Sequence, residues 1–386
     1  MAKGTASGLL EDRDGNAQSV FKHEILSQYL EPFLSMVGST AKGRRLVVLD
    51  GFAGRGRYPD GTPASAERIL QAMLRLRRIR DVSAFFVEKQ PDDFQELAAV
   101  VEEYATRGVH AAALEGKVEQ HLEKVLDSAG GIPLFLFLDP TGAGLSFKQL
   151  AMVLTGRRQG KKPVTEVLLN FSADLSRRVV GALKSGRTNQ RVMDGVCGGT
   201  WWRELAEQAV GTTSGAGSFE AVADAVVHEY ARRLAHETEM TSVCIPIRRR
   251  MEHQPIYHLV FFTRSPYGLW VFADAVGKAR QAWIRHLDKL QEDKMGPSLI
   301  TVEGMFLDTE ASAARATVTG NLRRLLAQHP GLTLVSRPLE VFGTAYGVAT
   351  EQVVAEAMRQ MVAAGEAEVS WHQSFRKSCI RRPRGR

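Results

Sequence analysis

The stretch Leu46-Val47-Val48-Leu49-Asp50-Gly51-Phe52-Ala53-Gly54-Arg55-Gly56 decides the fold. Its first four residues are apolar and are followed by an acid, which predicts a short strand that is buried on both faces. Glycines at positions 54 and 56 let the backbone turn sharply and approach a ligand closely. A dinucleotide-binding turn would carry a third glycine, but Arg57, Tyr58 and Pro59 follow instead. The acid at position 50 suits a positively charged ligand, which a phosphate site would avoid.

The composition is that of a soluble globular protein. The length of 386 residues predicts two or three domains, and 44% apolar with 24% charged residues is close to the globular average. No apolar run is long enough to span a membrane, and Met1–Gly8 lacks the apolar core of a signal peptide. Cys197, Cys244 and Cys379 are far apart, which argues against a disulfide framework and a zinc site. These features favour a cytoplasmic protein.

Short apolar segments alternate with amphipathic ones from residue 46 onward. The strand candidates are Leu46–Asp50, Ala84–Glu88, His110–Leu114, Leu134–Asp139 and Glu166–Phe171. The helix candidates between them are Ala64–Arg78, Asp92–Thr106, Val118–Asp127 and Phe147–Leu154. This alternation predicts an α/β fold with a parallel sheet and helices on both faces. A helical region over residues 1–45, including a helix at Val20–Leu34, precedes this domain.

The α/β domain is expected to extend over residues 46–300. A helical insert over residues 176–238 interrupts it, after which Thr241–Arg248 and Ile256–Thr263 predict two further strands, and Val271–Leu290 a helix. From Gly304 the pattern changes to small helices and turns. There Pro338–Phe342, Thr350–Ala363 and Glu366–Trp371 read as helix, helix and strand, which predicts a winged helix-turn-helix domain over residues 301–375. Residues 376–386 are expected to form a basic tail.

Each of the first four predicted strands is followed by an acid at its carboxyl end: Asp50, Glu88, Glu115 and Asp139. Open α/β sheets bind ligands at this edge. We expect Glu88 to accept hydrogen bonds from both hydroxyls of a ribose, and Glu115 to lie near an adenine. Helix capping would explain any one of these acids. Four of them together with the glycine turn favour a ligand site.

The motifs resemble those of two families. The closer resemblance is to the three-Cys-motif partner (TcmP) family, and a more distant one is to bacterial 23S ribosomal RNA adenine-N6 methyltransferases. The segments that match the TcmP family are Lys22-His23-Glu24-Ile25-Leu26, Asp50 to Gly56, Gly61-Thr62-Pro63, Phe86-Val87-Glu88, Asp139-Pro140 with Gly142, and Asn170-Phe171-Ser172. The resemblance to the ribosomal RNA methyltransferases is carried by Gly15-Asn16, Lys22-His23, the glycine turn and Arg57-Tyr58. The resemblance implies a Rossmann-like class I methyltransferase sheet that binds S-adenosylmethionine (SAM). The cofactor-binding residues would be Lys22, Asp50, Phe52, Ala53, Gly54, Gly56, Glu88 and Glu115.

The predicted acceptor site departs from that of adenine amino-methyltransferases. Those enzymes carry Asp/Asn-Pro-Pro followed by an aromatic residue, which stacks on a flipped base, whereas Asp139 and Pro140 are followed by Thr141 and Gly142. We expect Asp139 and Pro140 to face the methyl acceptor. The predicted substrate-binding residues are Tyr58, Phe171, Arg177 and Arg178, the two arginines as phosphate contacts or as members of surface ion pairs. A cytosine-C5 mechanism would need a thiolate after the fourth strand, and none is present there.

Two functions therefore remain open. The first is a SAM-dependent methyltransferase that acts on nucleic acid or within a nucleic-acid modification or repair system. The second is a non-catalytic SAM-binding or DNA-binding partner of a radical-SAM-like three-Cys-motif protein. The six basic residues of 371–386 account for most of the formal net charge of +7, and such tails often contact phosphates. The exposed face of the predicted recognition helix is not basic, whereas DNA binding normally uses basic contacts to phosphates. The sequence therefore favours DNA binding by this domain no more than binding to another protein. The polar residues of this helix face are Glu351, Gln352, Glu356, Arg359 and Gln360.

Overall fold

A computed structural model describes residues 17–142, 144–156, 163–172, 190–212, 217–251, 253–295 and 302–383. Within these ranges the chain folds into two compact units. The first unit consists of Leu30–Arg264. Among the described residues, the second unit consists of 17–29 and 265–383. Helix α1 (Ala17–Thr40) therefore contributes residues to both units.

The first unit contains a seven-stranded sheet with the order β3-β2-β1-β4-β5-β7-β6. Its strands are β1 (Arg45–Asp50), β2 (Asp81–Glu88), β3 (His110–Glu115), β4 (Leu134–Leu138), β5 (Thr165–Ser172), β6 (Thr241–Ile247) and β7 (Tyr257–Thr263). Strands β1 to β5 are parallel, and β7 runs antiparallel to both β5 and β6. The chain order reverses where β1 pairs with β2 on one side and β4 on the other, which is the point where such sheets bind nucleotides.

Helices cover this sheet. They are α2 (Ser65–Leu76), α3 (Pro91–Ala105), α4 (Val118–Ala129), α5 (Phe147–Thr155), α6 (Gln190–Cys197), α7 (Trp201–Thr212) and α8 (Gly217–Thr238). Alternate residues of the central strands, such as Val47 and Leu49, share one buried cluster with residues of α4, α5 and α8, as a period of two requires. The five predicted parallel strands are confirmed with small shifts of their ends. The architecture is an α/β fold that is consistent with a Rossmann-like methyltransferase sheet.

The second unit has a three-stranded antiparallel sheet with the order β8-β10-β9. Its elements are α9 (Pro266–Met295), α10 (Val302–Gln328), β8 (Gly331–Thr333), α11 (Pro338–Phe342), α12 (Glu351–Ala363), β9 (Glu368–Ser370) and β10 (Cys379–Arg381). The expected domain boundary at residue 300 falls inside this unit. Trp270 and Ala273 of α9 belong to the same buried cluster as α10 and α12, which explains why α9 groups with them.

Helix α10 is the largest difference from the sequence prediction. It covers 27 residues where the sequence predicted small helices and turns. Ala314, Val318, Leu322 and Leu325 of this helix are buried at helical spacing. Seven alanine and threonine residues between positions 309 and 319 hide the apolar stripe, although alanine itself favours a helix.

A membrane-spanning element is not found in the described part of the chain. None of its helices combines the required length with sufficient apolar character.

Candidate functional site

The turn at residues 51–56 crosses the carboxyl edge of the sheet at its switch point. The Gly51 N–H donates to the carbonyl of Phe137 at 3.0 Å, at the end of β4. The Ala53 N–H donates to the carbonyl of Val87 at 2.9 Å, near the end of β2. Backbone hydrogen bonds to both neighbours of β1 therefore fix the turn in place.

The two glycines of the turn adopt left-handed backbone conformations. The φ angle is 60° at Gly54 and 79° at Gly56, a region that other residues rarely occupy. The position of a Cβ on Gly54 has no atom within 4 Å, whereas a Cβ on Gly56 would meet Leu97 at 3.2 Å. Gly54 therefore borders open space, and Gly56 packs against α3. Between β1 and Gly54, Ala53 is buried and Phe52 packs its ring against the core.

Asp50 supports the turn from beneath. Its carboxylate is fully buried. Its Oδ1 accepts from the Phe52 N–H at 3.2 Å, and its Oδ2 accepts from the Ser65 hydroxyl at 2.7 Å. The sequence predicted that Asp50 would face a cationic ligand. In the structure, the carboxylate instead ties the turn to the first residue of α2, because both oxygens are enclosed.

Glu88 lies directly beside Gly54. Its Oε2 accepts from the Gly54 N–H at 3.0 Å, and its Oε1 accepts from the Gln90 N–H at 2.8 Å. A carboxylate has about four lone-pair positions, so each oxygen can accept one further hydrogen bond. The side chain is half-buried. Glu88 is thus held in one orientation with its remaining acceptor capacity at the sheet edge.

Glu115 ends β3, where it pairs in register with Glu88 of β2. Its side chain is exposed. Its backbone carbonyl accepts from the Nε2 of His121 at 2.7 Å, which fixes the bend that follows the strand. The structure therefore brings Glu88 and Glu115 to adjacent positions of the same edge, as the sequence predicted.

Asp139 follows β4 and is bonded to a neighbour from β5. The Asn170 Nδ2 donates to the Oδ1 of Asp139 at 2.6 Å. The Oδ1 of Asn170 is buried and has no hydrogen-bond partner among the described residues. It borders a small cavity whose lining includes Gly142, Ser172 and Tyr230. Pro140, the second predicted catalytic residue, is buried next to Asp139. Asn170 therefore orients Asp139 and leaves one acceptor unused at this point of the edge.

The predicted substrate-binding residues differ in their surroundings. Phe171 is buried in the core, where its ring lies 4.8 Å from that of Tyr230. Phe171 also lines the small cavity beside Asn170, and its contact with a substrate stays a prediction. Tyr58 is half-buried in a tight hairpin over residues 57–63. Arg177 and Arg178 lie outside the described residues.

Lys22, the remaining predicted cofactor residue, lies on α1 within the second unit. It is half-buried there. Lys22 therefore does not belong to the unit that contains Gly54, Glu88 and Glu115. Its role in cofactor binding stays a prediction.

Two arginines of the turn are clamped by acids of α2 and α3. Arg57 forms two hydrogen bonds with Glu67, at 2.7 and 2.6 Å, and one with Glu103 at 3.0 Å. These hydrogen bonds raise the pKa of Arg57 above its usual value. The hydroxyl of Tyr104 also donates to Glu67, at 3.1 Å.

In the same way, Arg55 donates to the buried Asp93 at 2.7 Å. These ion pairs were not predicted from the sequence, although arginines on both sides of Gly56 are a visible signal.

The clamp at Glu67 leads to a stability prediction. Glu67→Gln is expected to lower the free energy of unfolding by about 1–3 kcal/mol, because a buried acceptor for Arg57 and Tyr104 loses its charge. This is less than for a fully buried pair, since the Arg57 side chain is 35% exposed. Urea unfolding would measure it. As a control, Glu31→Gln breaks the exposed pair with Arg75 and should change stability by at most about 0.5 kcal/mol. Equal losses in both variants would contradict the role given to the clamp.

A histidine–aspartate pair also lies near this edge and was not predicted. The Nε2 of His258, on β7, is 2.9 Å from the Oδ1 of Asp224, and His258 is 2% exposed. Burial opposes ionisation of Asp224, but the neighbouring His258, His228 and Arg248 outweigh it and lower its pKa. His258 pairs in register with Phe171, so the dyad lies one strand beyond Asn170. The sequence did not predict this pair, because a single histidine within an apolar strand does not indicate a partner 34 positions earlier in the chain.

The described part of the chain contains one buried cysteine and no cluster of metal-ligating side chains. Burial raises the pKa of Cys197, so its thiol stays protonated within the core. No group of three or more His, Cys, Asp or Glu side chains there could hold a metal ion.

Comparisons with known proteins add little to this geometry. No protein-family model and no curated protein matches the sequence. Among solved structures, the chain is similar to the crystal structure of the methyltransferase domain of bacterial CtHen1-CN, with 10% sequence identity and a TM-score of 0.31. The match covers 63% of this chain and 99% of that domain. The fold assignment therefore rests on the strand order and the edge described above.

Proposed function

We propose that the protein is a SAM-dependent methyltransferase of the TcmP type, which acts on nucleic acid or within a nucleic-acid modification or repair system. One observation carries the proposal: the carboxylate of Glu88 is fixed by the Gly54 N–H at 3.0 Å, at the switch point of the sheet. Doubly wound sheets bind nucleosides at this point, and an acid at the end of the second strand accepts the ribose hydroxyls.

The residues fit a nucleoside with a cationic sulfonium. Glu88 keeps acceptor capacity for two hydroxyls. Gly54 borders open space, so a ligand can approach the backbone there. Glu115 lies beside Glu88 and adds a second negative charge to the edge. The arginines nearest the turn, Arg55 and Arg57, are both bound to carboxylates, which leaves the turn without a free cation for a pyrophosphate.

SAM would supply an activated methyl group. The chain's own contribution is then to position the acceptor, because methyl transfer from a sulfonium needs little acid–base help. Asp139, oriented by Asn170 at 2.6 Å, would accept a hydrogen bond from the acceptor and so direct its lone pair. The buried Pro140 keeps this segment in place against the core.

The function is tested by incubating the protein with methyl-labelled SAM and total DNA or total RNA. The expected result is label that stays with the nucleic acid after the protein is digested. If nucleic acid stays unlabelled while SAM is bound, the enzymatic part of the proposal fails.

Gly54 provides a prediction with a matched control. Gly54→Ala and Gly108→Ala both place a side chain at a positive φ, 60° and 81°, with no atom within 4 Å of the new Cβ. Each variant should therefore lose roughly 1–2 kcal/mol of stability. Only Gly54 lies at the proposed site, since Gly108 precedes β3 at the opposite edge of the sheet. We expect Gly54→Ala alone to lose SAM binding, measured by calorimetric titration. Equal binding by the two variants would contradict the proposed position of the cofactor.

The second unit supports the nucleic-acid part of the proposal. From α10 onward it has the element order helix, strand, two helices and two strands, with the last strand, β10, in the middle of the antiparallel sheet. We infer that α10 to β10 form a winged helix-turn-helix, in which α12 is the second helix of the pair. Helix-turn-helix domains contact nucleic acid through this helix.

A non-catalytic role is the second candidate. Asp139 already accepts a hydrogen bond from Asn170, and Phe171 is packed in the core. Under this alternative, the protein would bind SAM and serve a radical-SAM-like three-Cys-motif protein or hold DNA. Tight SAM binding without label transfer would support it.

A further inference from the structure

Trp371 follows β9 and presents an exposed indole ring. The residue is 51% exposed, whereas the other four tryptophans of the chain are buried or half-buried. A single exposed apolar residue is common on protein surfaces, so what matters is what surrounds the ring. The ring belongs to the hairpin that joins β9 and β10.

Two side chains lie close to this ring. The ring of Phe375 lies 6.1 Å from that of Trp371 at an interplanar angle of 29°. The guanidinium carbon of Arg359, on α12, lies 5.9 Å from the indole centroid. Aromatic rings with a nearby arginine provide stacking surfaces for nucleic-acid bases.

The hairpin loop is held by internal hydrogen bonds. The His372 N–H donates to the hydroxyl of the buried Ser378 at 3.1 Å. The Ser374 N–H donates to the Nδ1 of His372 at 2.9 Å. Trp371 is therefore positioned before any partner binds, which reduces the entropy lost on binding.

The charges around the hairpin favour an anionic partner. Every carboxylate in residues 331–383 is paired with an arginine: Glu340 with Arg337, Glu351 with Arg376, Glu356 with Arg315, Glu366 with Arg323 and Glu368 with Arg381. The exposed Arg359 and Lys377 have no carboxylate partner among the described residues. The glutamates of α12 are thus neutralised, and the two unpaired charges of this segment, of which Arg359 lies over the Trp371 ring, are positive.

We propose that Trp371, Phe375, Arg359 and Lys377 form a surface that binds single-stranded nucleic acid by stacking bases on the indole ring. A duplex hides the faces of its bases, so this surface selects unpaired strands. The surface would hold the strand by phosphate contacts to the two cations and by stacking. The inference rests on the nucleic-acid part of the proposed function and adds that the nucleic acid is single-stranded.

The test uses the full chain and a short fluorescein-labelled oligothymidylate, without any methyl donor, so that failure of stacking and failure of methyl transfer are separate results. Trp371→Ala is expected to weaken binding by about fivefold or more, the size of one lost stacking contact. Trp371→Phe should recover most of the affinity, because it keeps an aromatic face. Leu339→Ala removes another exposed apolar side chain of the same unit and should bind like the wild type. Intrinsic fluorescence should be quenched by the oligonucleotide in the wild type and much less in Trp371→Phe.

Two outcomes would overturn the proposal. One is equal affinity of the wild type and Trp371→Ala for the oligonucleotide. The other is no binding by the wild type at low salt, or binding of a duplex at least as tight as that of the single strand. A wild type that binds no oligonucleotide would leave the ring to a protein partner.

Discussion

Glu88→Ala is expected to weaken SAM binding by at least about 100-fold. The proposed contacts are two ribose hydroxyls that donate to a carboxylate, and each hydrogen bond to a charged group contributes roughly 1.5–3 kcal/mol. The variant also loses the acceptor for the Gly54 N–H, so the turn itself is less well held. Glu88→Gln keeps the shape and one carbonyl acceptor and should show an intermediate affinity. Calorimetric titration would give the dissociation constants.

The control for this prediction is Glu102→Ala. Glu102 is an exposed acid of α3 in the same unit, so its removal changes the charge equally without touching the turn. We expect its affinity for SAM to match that of the wild type. If Glu88→Ala and Glu102→Ala bind SAM alike, Glu88 does not contact the cofactor.

Asp139→Ala is expected to reduce methyl transfer by roughly 100-fold or more, the size of effect that misplacement of a reacting group produces. Its affinity for SAM should stay close to that of the wild type, because Asp139 faces the acceptor in the proposal. Transfer of labelled methyl groups to nucleic acid and titration with SAM measure the two properties separately.

The outcome for Asp139 also separates the two candidate functions. Asp127→Ala, which removes an exposed acid from α4, is the control and should transfer methyl groups normally. Transfer that survives in Asp139→Ala would show that this carboxylate does not position the acceptor. Loss of SAM binding in the same variant would instead place Asp139 at the cofactor.

The sheet could be predicted because its signals are local. Short apolar runs followed by acids and glycines identify β1 to β5, and parallel strands necessarily bring Glu88 and Glu115 to one edge. The order of the strands follows from pairing between residues far apart in the chain, which the pattern does not contain.

The environment of each site residue was harder to predict. Asp50 and Glu88 look alike in sequence, yet one is enclosed beneath the turn and the other lies at the edge. Asn170 reaches Asp139 from the next strand, 31 positions away. Phe171 packs on Tyr230, because residues alternate between the two faces of β5.

In the second unit, the charges of α12 were misleading when taken alone. Arg376 and Arg315, from other elements, neutralise Glu351 and Glu356. Helix propensity and spacing identify α12, whereas its ion pairs depend on the packed unit. The expectation that the exposed face of this helix is not basic stays a prediction.

The central claim is that the edge above β1 and β2 binds the nucleoside of SAM. Parallel titrations of the wild-type protein with SAM and with NAD test it most directly. The account predicts saturable binding of one SAM per chain and no heat with NAD, since the turn lacks a third glycine and a free cation for a pyrophosphate. An absence of heat with SAM, or tighter binding of NAD, would contradict it.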